Sequence, residues 1–172
     1  VVTDSGRPAT AQTVTVTLDN SEYLHALIAG SLRRASAREK GRKNYYGAQS
    51  ADSELLDLIG SVGECVVAKH LDRFWAGAGL FRGEDVGEYQ VRTTTYDSGH
   101  LVLNKNDSDD KKYILVCVNS GVGKIRGWMY ARDGKQEKYW KDMSGRGGAF
   151  YVPQSDLRPI STLKSPSVDN EF

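Results

Sequence analysis

The run Ile114-Leu-Val-Cys-Val118 constrains the fold more than any other stretch of the chain. Five consecutive apolar residues, three of them β-branched, make a short strand rather than a helix. A strand apolar at every position must be covered on both faces, so the sequence predicts a central strand inside a layered domain. Val14-Thr-Val-Thr-Leu18 alternates at period two and reads as another strand. Further strands are expected near Tyr89–Thr95, His100–Lys105, Lys124–Arg132 and Phe150–Val152. The turn-forming runs Asp97-Ser-Gly99 and Asn106–Asp110 suit hairpins between neighbouring strands.

Two long helices precede most of these strands. Asp19 with Glu22 three residues on has the form of a capping box. Leu24, Leu27, Ile28, Leu32 and Ala35 follow helical spacing and predict one buried stripe, with Arg34, Arg38 and Arg42 on an exposed one. Gly41, Tyr45, Tyr46 and Gly47 mark the end of that helix. A second helix is capped by Asp52 or Ser53 and reaches about Phe74, with Leu55, Ile59, Val62 and Val66 as its apolar stripe. Gly60 and Gly63 each cost this helix roughly 1 kcal/mol relative to Ala, which predicts a close approach there. Lys135–Met143 reads as a short helix and Gly145–Gly148 as a loop. Residues 1–12 are expected to form a flexible arm, 13–159 a single domain, and 160–172, rich in Ser, Pro and charge, a disordered tail. The fold class is α+β, a mixed α/β sandwich whose central, mostly antiparallel or mixed sheet is flanked by helices.

Composition matters chiefly for what it excludes. With 172 residues, 39% hydrophobic and 26% charged, the chain can bury one substantial core. No apolar run approaches the ~20 residues of a membrane span, and no signal peptide opens the chain. No membrane partner is therefore expected. Cys65 and Cys117 lie in apolar runs without a second Cys at zinc-binding spacing, so buried thiols and a cytoplasmic setting are expected. The formal net charge is +1, yet Arg33, Arg34, Arg38, Lys40, Arg42 and Lys43 face one acid, Glu39, in a short span. That basic block, beside Tyr45 and Tyr46, is a candidate nucleic-acid track or a solvated helix face; Lys105 is a further candidate phosphate contact.

The chemistry-bearing residues fall in two places. Glu64 stands inside the apolar run Gly63-Glu-Cys-Val-Val-Ala-Lys69, where it must pair with a cation such as Lys69 or serve as a ligand. Downstream, Asp85-Val-Gly-Glu-Tyr-Gln-Val-Arg92 places Asp85 at a turn and Glu88, Gln90 and Arg92 on one face of a strand. His25, His70 and His100 are isolated, and Gly121-Val-Gly-Lys124 lacks the spacing of a phosphate loop.

A helical Glu64, a turn Asp85 and the strand triplet Gln90-Val91-Arg92 resemble the PD-(D/E)XK nuclease superfamily, particularly small phage-borne members, over about residues 55–130. Gln90 stands where that family usually has an acid, and Arg92 where it has Lys. A shifted register, Asp85 with Glu88-Tyr89-Gln90, restores the acid and puts Gln in the Lys position. The resemblance implies a restriction-endonuclease-like core and a Mg²⁺ (or Mn²⁺) site built from Glu64, Asp85, Gln90 or Glu88, and the Val91 carbonyl. Arg92 would stabilise the attacked phosphate. The implied activity is metal-dependent hydrolysis of nucleic acid, DNA foremost, in a phage or mobile-element setting within the host cytoplasm. The alternative it leaves is an inactive, nuclease-derived protein that binds nucleic acid or a protein partner, as a virion or assembly component. Homo-oligomers and phage proteins remain open as partners.

Overall fold

The computed structural model describes residues 12–39, 50–77, 84–142 and 147–163, with α2 side chains described from residue 55. The elements are β1 (Val14–Thr17), α1 (Asn20–Glu39), α2 (Ser50–His70), β2 (Tyr89–Thr94), β3 (Leu101–Leu103), β4 (Lys112–Asn119), β5 (Val122–Tyr130), α3 (Ala131–Gly134), β6 (Trp140–Lys141) and β7 (Ala149–Val152). They form an α+β fold with two sheets, one ordered β1-β5-β4-β2 and the other β3-β7-β6.

The apolar run is central, as its composition requires. β4 pairs antiparallel with β5 and parallel with β2. Its Ile114, Val116 and Val118 belong to a core shared with both long helices. Tyr113 and Leu115, on the other face, join a second core with Leu101, Leu103, Met129 and Val152. The layers are therefore helices, large sheet and small sheet. Both long helices lie on one face of the large sheet, and the small sheet with the short α3 lies on the other.

Other local expectations are also revised. Neither Asp97–Gly99 nor Asn106–Asp110 joins a hairpin, because β3 leaves the large sheet and pairs with β7 instead. That excursion is what makes β2 and β4 parallel. The tight connection lies between β4 and β5, where Ser120 adopts φ 53°. Where a helix was expected from Lys135, a 3-10 turn at Glu137–Tyr139 leads into β6 instead. Trp140 there packs edge-on against Phe150 of β7, and that cross-strand pair outweighs helix propensity. α2 stops at His70, and Asp72 follows with φ 51°. Ile160 and Leu163, assigned from sequence to the tail, are buried in the first core. Trp128 holds that segment by donating from Nε1 to the Pro159 carbonyl (3.1 Å) and Thr162 Oγ1 (2.9 Å).

A β-bulge explains an irregularity of side-chain facing. Leu115 pairs with Gly127, but Val116 pairs with Ile125, leaving Arg126 as the extra residue. Gly127 accommodates the distortion at φ 141°. Ile125 and Trp128 can then both enter the first core although three residues apart.

The helices meet each other in an unexpected way. The Asp19–Glu22 capping box forms: the Asp19 amide donates to Glu22 Oε2 (2.7 Å) and the Glu22 amide to Asp19 Oδ1 (2.9 Å). Of the anticipated buried stripe of α1, only Leu27 packs against the core, and it is partly buried. Ala26, Ala29 and Gly30 are the helix's buried residues, whereas Leu24, Ile28 and Leu32 are at least half exposed. A Cβ on Gly30 would press on the Asp57 carbonyl and Leu58 Cα, each at 2.9 Å, so α1 docks on α2 through its smallest side chains. Of the stripe expected on α2, Val62 and Val66 are buried, Ile59 is partly buried and Leu55 is exposed.

Candidate active site

Glu64 reaches its position because Gly63 lets α2 lie directly on β2. A Cβ at Gly63 would overlap the Thr93 side chain, while one at Gly60 would meet nothing within 4 Å. The predicted close approach therefore holds at Gly63 and not at Gly60. Glu64 is buried, and its partner is Arg33 rather than Lys69. Arg33 Nη1 and Nη2 donate to Glu64 Oε1 and Oε2, both at 2.6 Å, and Trp75 Nε1 donates to Oε2 at 3.0 Å. Arg33 Nε also donates to the Gly77 carbonyl (2.9 Å). Burial opposes the charge on Arg33, but Glu64 outweighs it and raises the guanidinium pKa above its ordinary value. Lys69 is bound to Glu22 and to the Thr17 carbonyl.

Asp85 sits at the free edge of the large sheet, where β2 is the terminal strand. Its backbone N–H donates to the Tyr89 carbonyl (3.0 Å), and its Oδ2 accepts from the Val91 N–H (2.8 Å). Gly87, at φ 58°, allows this turn to close. The carboxylate thus satisfies a donor that an edge strand leaves unpaired. Burial, reinforced by the charge of Glu64, raises the Asp85 pKa to about 6, against the Val91 hydrogen bond and the charges of Arg92 and Arg33.

Strand parity divides the remaining candidates. Tyr89 and Val91 enter the helix-side core, so Gln90 and Arg92 face the opposite side. Arg92 Nη2 donates to both oxygens of Asp107, each at 3.1 Å, and the guanidinium lies 4.7 Å from the Tyr113 ring centroid. Glu64 consequently lies on the helix side, Gln90 and Arg92 on the other, and Asp85 at the edge in the field of both. Glu88 turns outward to Lys112 at 2.5 Å, which holds its pKa below the usual carboxylate value.

The basic block is partly spent on structure. Arg33 is committed to Glu64, and Arg34, only 14% exposed, faces Asp57 at 3.9 Å. Both residues stand at the α1–α2 contact. Arg38 is exposed; Lys40, Arg42 and Lys43 lie outside the described residues. Lys105 is exposed, with its ammonium 4.4 Å from the Trp140 ring. Both cysteines are buried and unpaired, and burial raises Cys65 to about 11.

Sequence reasoning missed Arg33, Trp75 and Asp107 as partners. One signal was present: Ala26, Ala29, Gly30 and Arg33 share the i, i+3, i+4, i+7 spacing of one helix face. Small residues ending in an arginine marked the docking side better than the leucines did.

Asp85 and Gln90 offer oxygen donors of the kind a hard divalent cation takes, but both Glu64 oxygens are engaged by Arg33 and Trp75. Among the described residues no group of three or more His, Cys, Asp or Glu side chains could hold a metal ion. Gln90 faces the side of β2 opposite Glu64, so the structure does not bring these two side chains together. No helix among the described residues is long and apolar enough to cross a membrane. Comparison with protein-family models, curated proteins and solved structures finds no match to this chain.

Proposed function

We propose that the chain is a metal-dependent phosphodiesterase acting on nucleic acid, with a degenerate PD-(D/E)XK site and a restriction-endonuclease-like core. The observation that carries this reading is Asp85: a carboxylate with its pKa raised to about 6, in the field of Glu64 and between Arg33 and Arg92. Carboxylates so perturbed, with cations on either side, concentrate where chemistry is done. Asp85 and Gln90 would hold the cation, and Glu64 would join when Arg33 swings away. A bound divalent cation would supply a water of lowered pKa and charge for the departing oxygen. Arg92, aligned by Asp107 and Tyr113, clamps the phosphate. As a guanidinium it stays protonated and cannot act as the base. Arg33, once off Glu64, becomes a second cation for the phosphate.

One observation favours a second reading. The two-pronged Arg33–Glu64 pair also suits a site that has lost its metal and kept its fold, leaving a nucleic-acid-binding protein.

Incubating the purified chain with labelled single- and double-stranded DNA and RNA in Mg²⁺ or Mn²⁺ tests both. Cleavage that Asp85→Asn and Arg92→Ala abolish, with the fold intact by circular dichroism, supports the phosphodiesterase. Binding that weakens with salt but never cleaves supports the second reading. Neither cleavage nor binding removes both.

A further inference from the structure

The loop that carries Asp107 is built around a lysine. Residues 104–110, leaving β3, have no apolar side chain and set three acids, Asp107, Asp109 and Asp110, against one cation, Lys105. Such a segment repels its own charges and cannot pack by itself. Lys135, 15% exposed at the end of α3, closes it. Its Nζ donates to the Lys105 carbonyl (3.0 Å), the Asp107 carbonyl and Asp109 Oδ1 (2.7 Å), which uses the three donors of an ammonium. Gly134 puts the lysine there. A Cβ at Gly134 would overlap the Leu103 side chain, so α3 lies directly on the end of β3 from which the loop departs.

One carboxylate of the loop turns inward. Asp107 is 13% exposed, against 64% for Asp109 and 89% for Asp110. Its Oδ2 accepts from the Asn104 N–H (3.0 Å), and both its oxygens accept from Arg92 Nη2. Arg92 Nε is buried without an acceptor, so Asp107 and the Tyr113 ring fix where the guanidinium points. The Ser108 backbone also hydrogen-bonds the Tyr113 hydroxyl. Both groups that hold Arg92 are therefore tied to the loop that Lys135 closes.

We propose that Lys135 is a positioning residue of the candidate site: its ammonium closes the 104–110 loop and so holds Asp107 where it sets the guanidinium of Arg92. Lys135 itself, spent on three oxygens beneath the loop, touches no substrate. That Arg92 meets a phosphate rests on the function proposed above; that Lys135 sets Arg92 does not.

The test follows the Arg92 guanidinium by nitrogen nuclear magnetic resonance in the full chain, its signals assigned by their loss in Arg92→Lys. Separate Nη signals are expected from the wild-type chain, since Asp107 slows rotation of the group. Lys135→Ala should merge and broaden them. Added n-propylammonium, the fragment this substitution removes, should restore them where sodium chloride at equal concentration does not. Lys138→Ala, at an exposed lysine three residues on, should change nothing. Should Lys135→Ala fail to fold by circular dichroism, Asp109→Asn takes its place, because it weakens one of the three acceptors on an exposed side chain. Arg92 signals that stay separate in the folded variant, or that recover equally in sodium chloride, overturn the proposal. In cleavage with Mg²⁺, Lys135→Ala should lower kcat by about a hundredfold, the cost of misplacing a clamp by about 1 Å, and n-propylammonium should recover it. Wild-type cleavage with kcat untouched by Lys135→Ala overturns the role in the reaction. A wild-type chain that cleaves nothing sinks the function proposed above and leaves the Arg92 signals to decide for or against Lys135.

Discussion

α1 and α2 are nearly equal in length, 20 and 21 residues, yet they belong to the protein in opposite ways. From Ser61 to Ala68 every residue of α2 is buried, between the large sheet on one side and α1 on the other. α1 fully buries only Ala26, Ala29 and Gly30 and shows solvent Leu24, Ile28 and Leu32. What separates them is how close a neighbour can come. Gly63 admits β2 to α2, Gly123 of β5 makes room for Val66, and Gly30 admits α2 to α1. Small residues locate the contacts, and the charged groups carried to those contacts then have to find partners.

The sharpest way to break this contrast is to fill the α2–β2 contact. Gly63→Ala forces a methyl into Thr93, and the expected loss is about 3 kcal/mol, the upper end for overpacking a core. Thermal or denaturant unfolding measures it, and a loss below about 1 kcal/mol would mean that β2 and α2 separate easily. Glu64→Gln attacks the polar half of the same contact. It strands the Arg33 guanidinium, 22% exposed, and should cost about 2 kcal/mol, discounted from the 3–5 kcal/mol of a fully buried pair. Trp75 fluorescence should shift too, since its Nε1 loses a charged acceptor.

Asp85→Asn should act in the opposite direction, and only in part of the pH range. The folded state raises this acid from 3.8 to about 6. Folded protein therefore holds the proton more tightly than unfolded chain, and stability falls as pH climbs from about 4 to about 6. Above that window the ionised group costs the fold its full penalty. The substitution should raise stability by roughly 2 kcal/mol at pH 7.5, allowing for the weaker hydrogen bond to Val91, and by almost nothing at pH 4. A gain of equal size at both pH values would remove the raised pKa as its cause. Gly60→Ala is the smallest effect and the control for Gly63. Nothing lies within 4 Å of the new methyl, so helix propensity alone should stabilise the chain by about 0.5 to 1 kcal/mol. Destabilisation there would show that the open side of α2 is covered in solution.

Several features were legible because they are local. The Asp19–Glu22 capping box needs only three residues of spacing, and it forms with both hydrogen bonds. Period-two alternation located β1, and five apolar residues in a row located β4 with both faces covered. Of the site, the turn at Asp85 and the shared face of Gln90 and Arg92 follow from strand parity. Where those side chains end is not local. Arg92 finds Asp107, fifteen residues on, and Glu64 finds Arg33, thirty-one residues back.

The sequence by itself determined the elements that short-range spacing and composition control: the strands, two long helices, a cap, and a central strand too apolar to be wet. Tertiary structure alone decided which face of α1 is inside, that β2 runs parallel to β4, and that 137–141 turns into an edge strand rather than a helix. It also decided that Arg33 is the partner of Glu64. These outcomes depend on surfaces distant in sequence, where steric room at a few glycines and the cost of an unpaired buried charge outweigh local propensity.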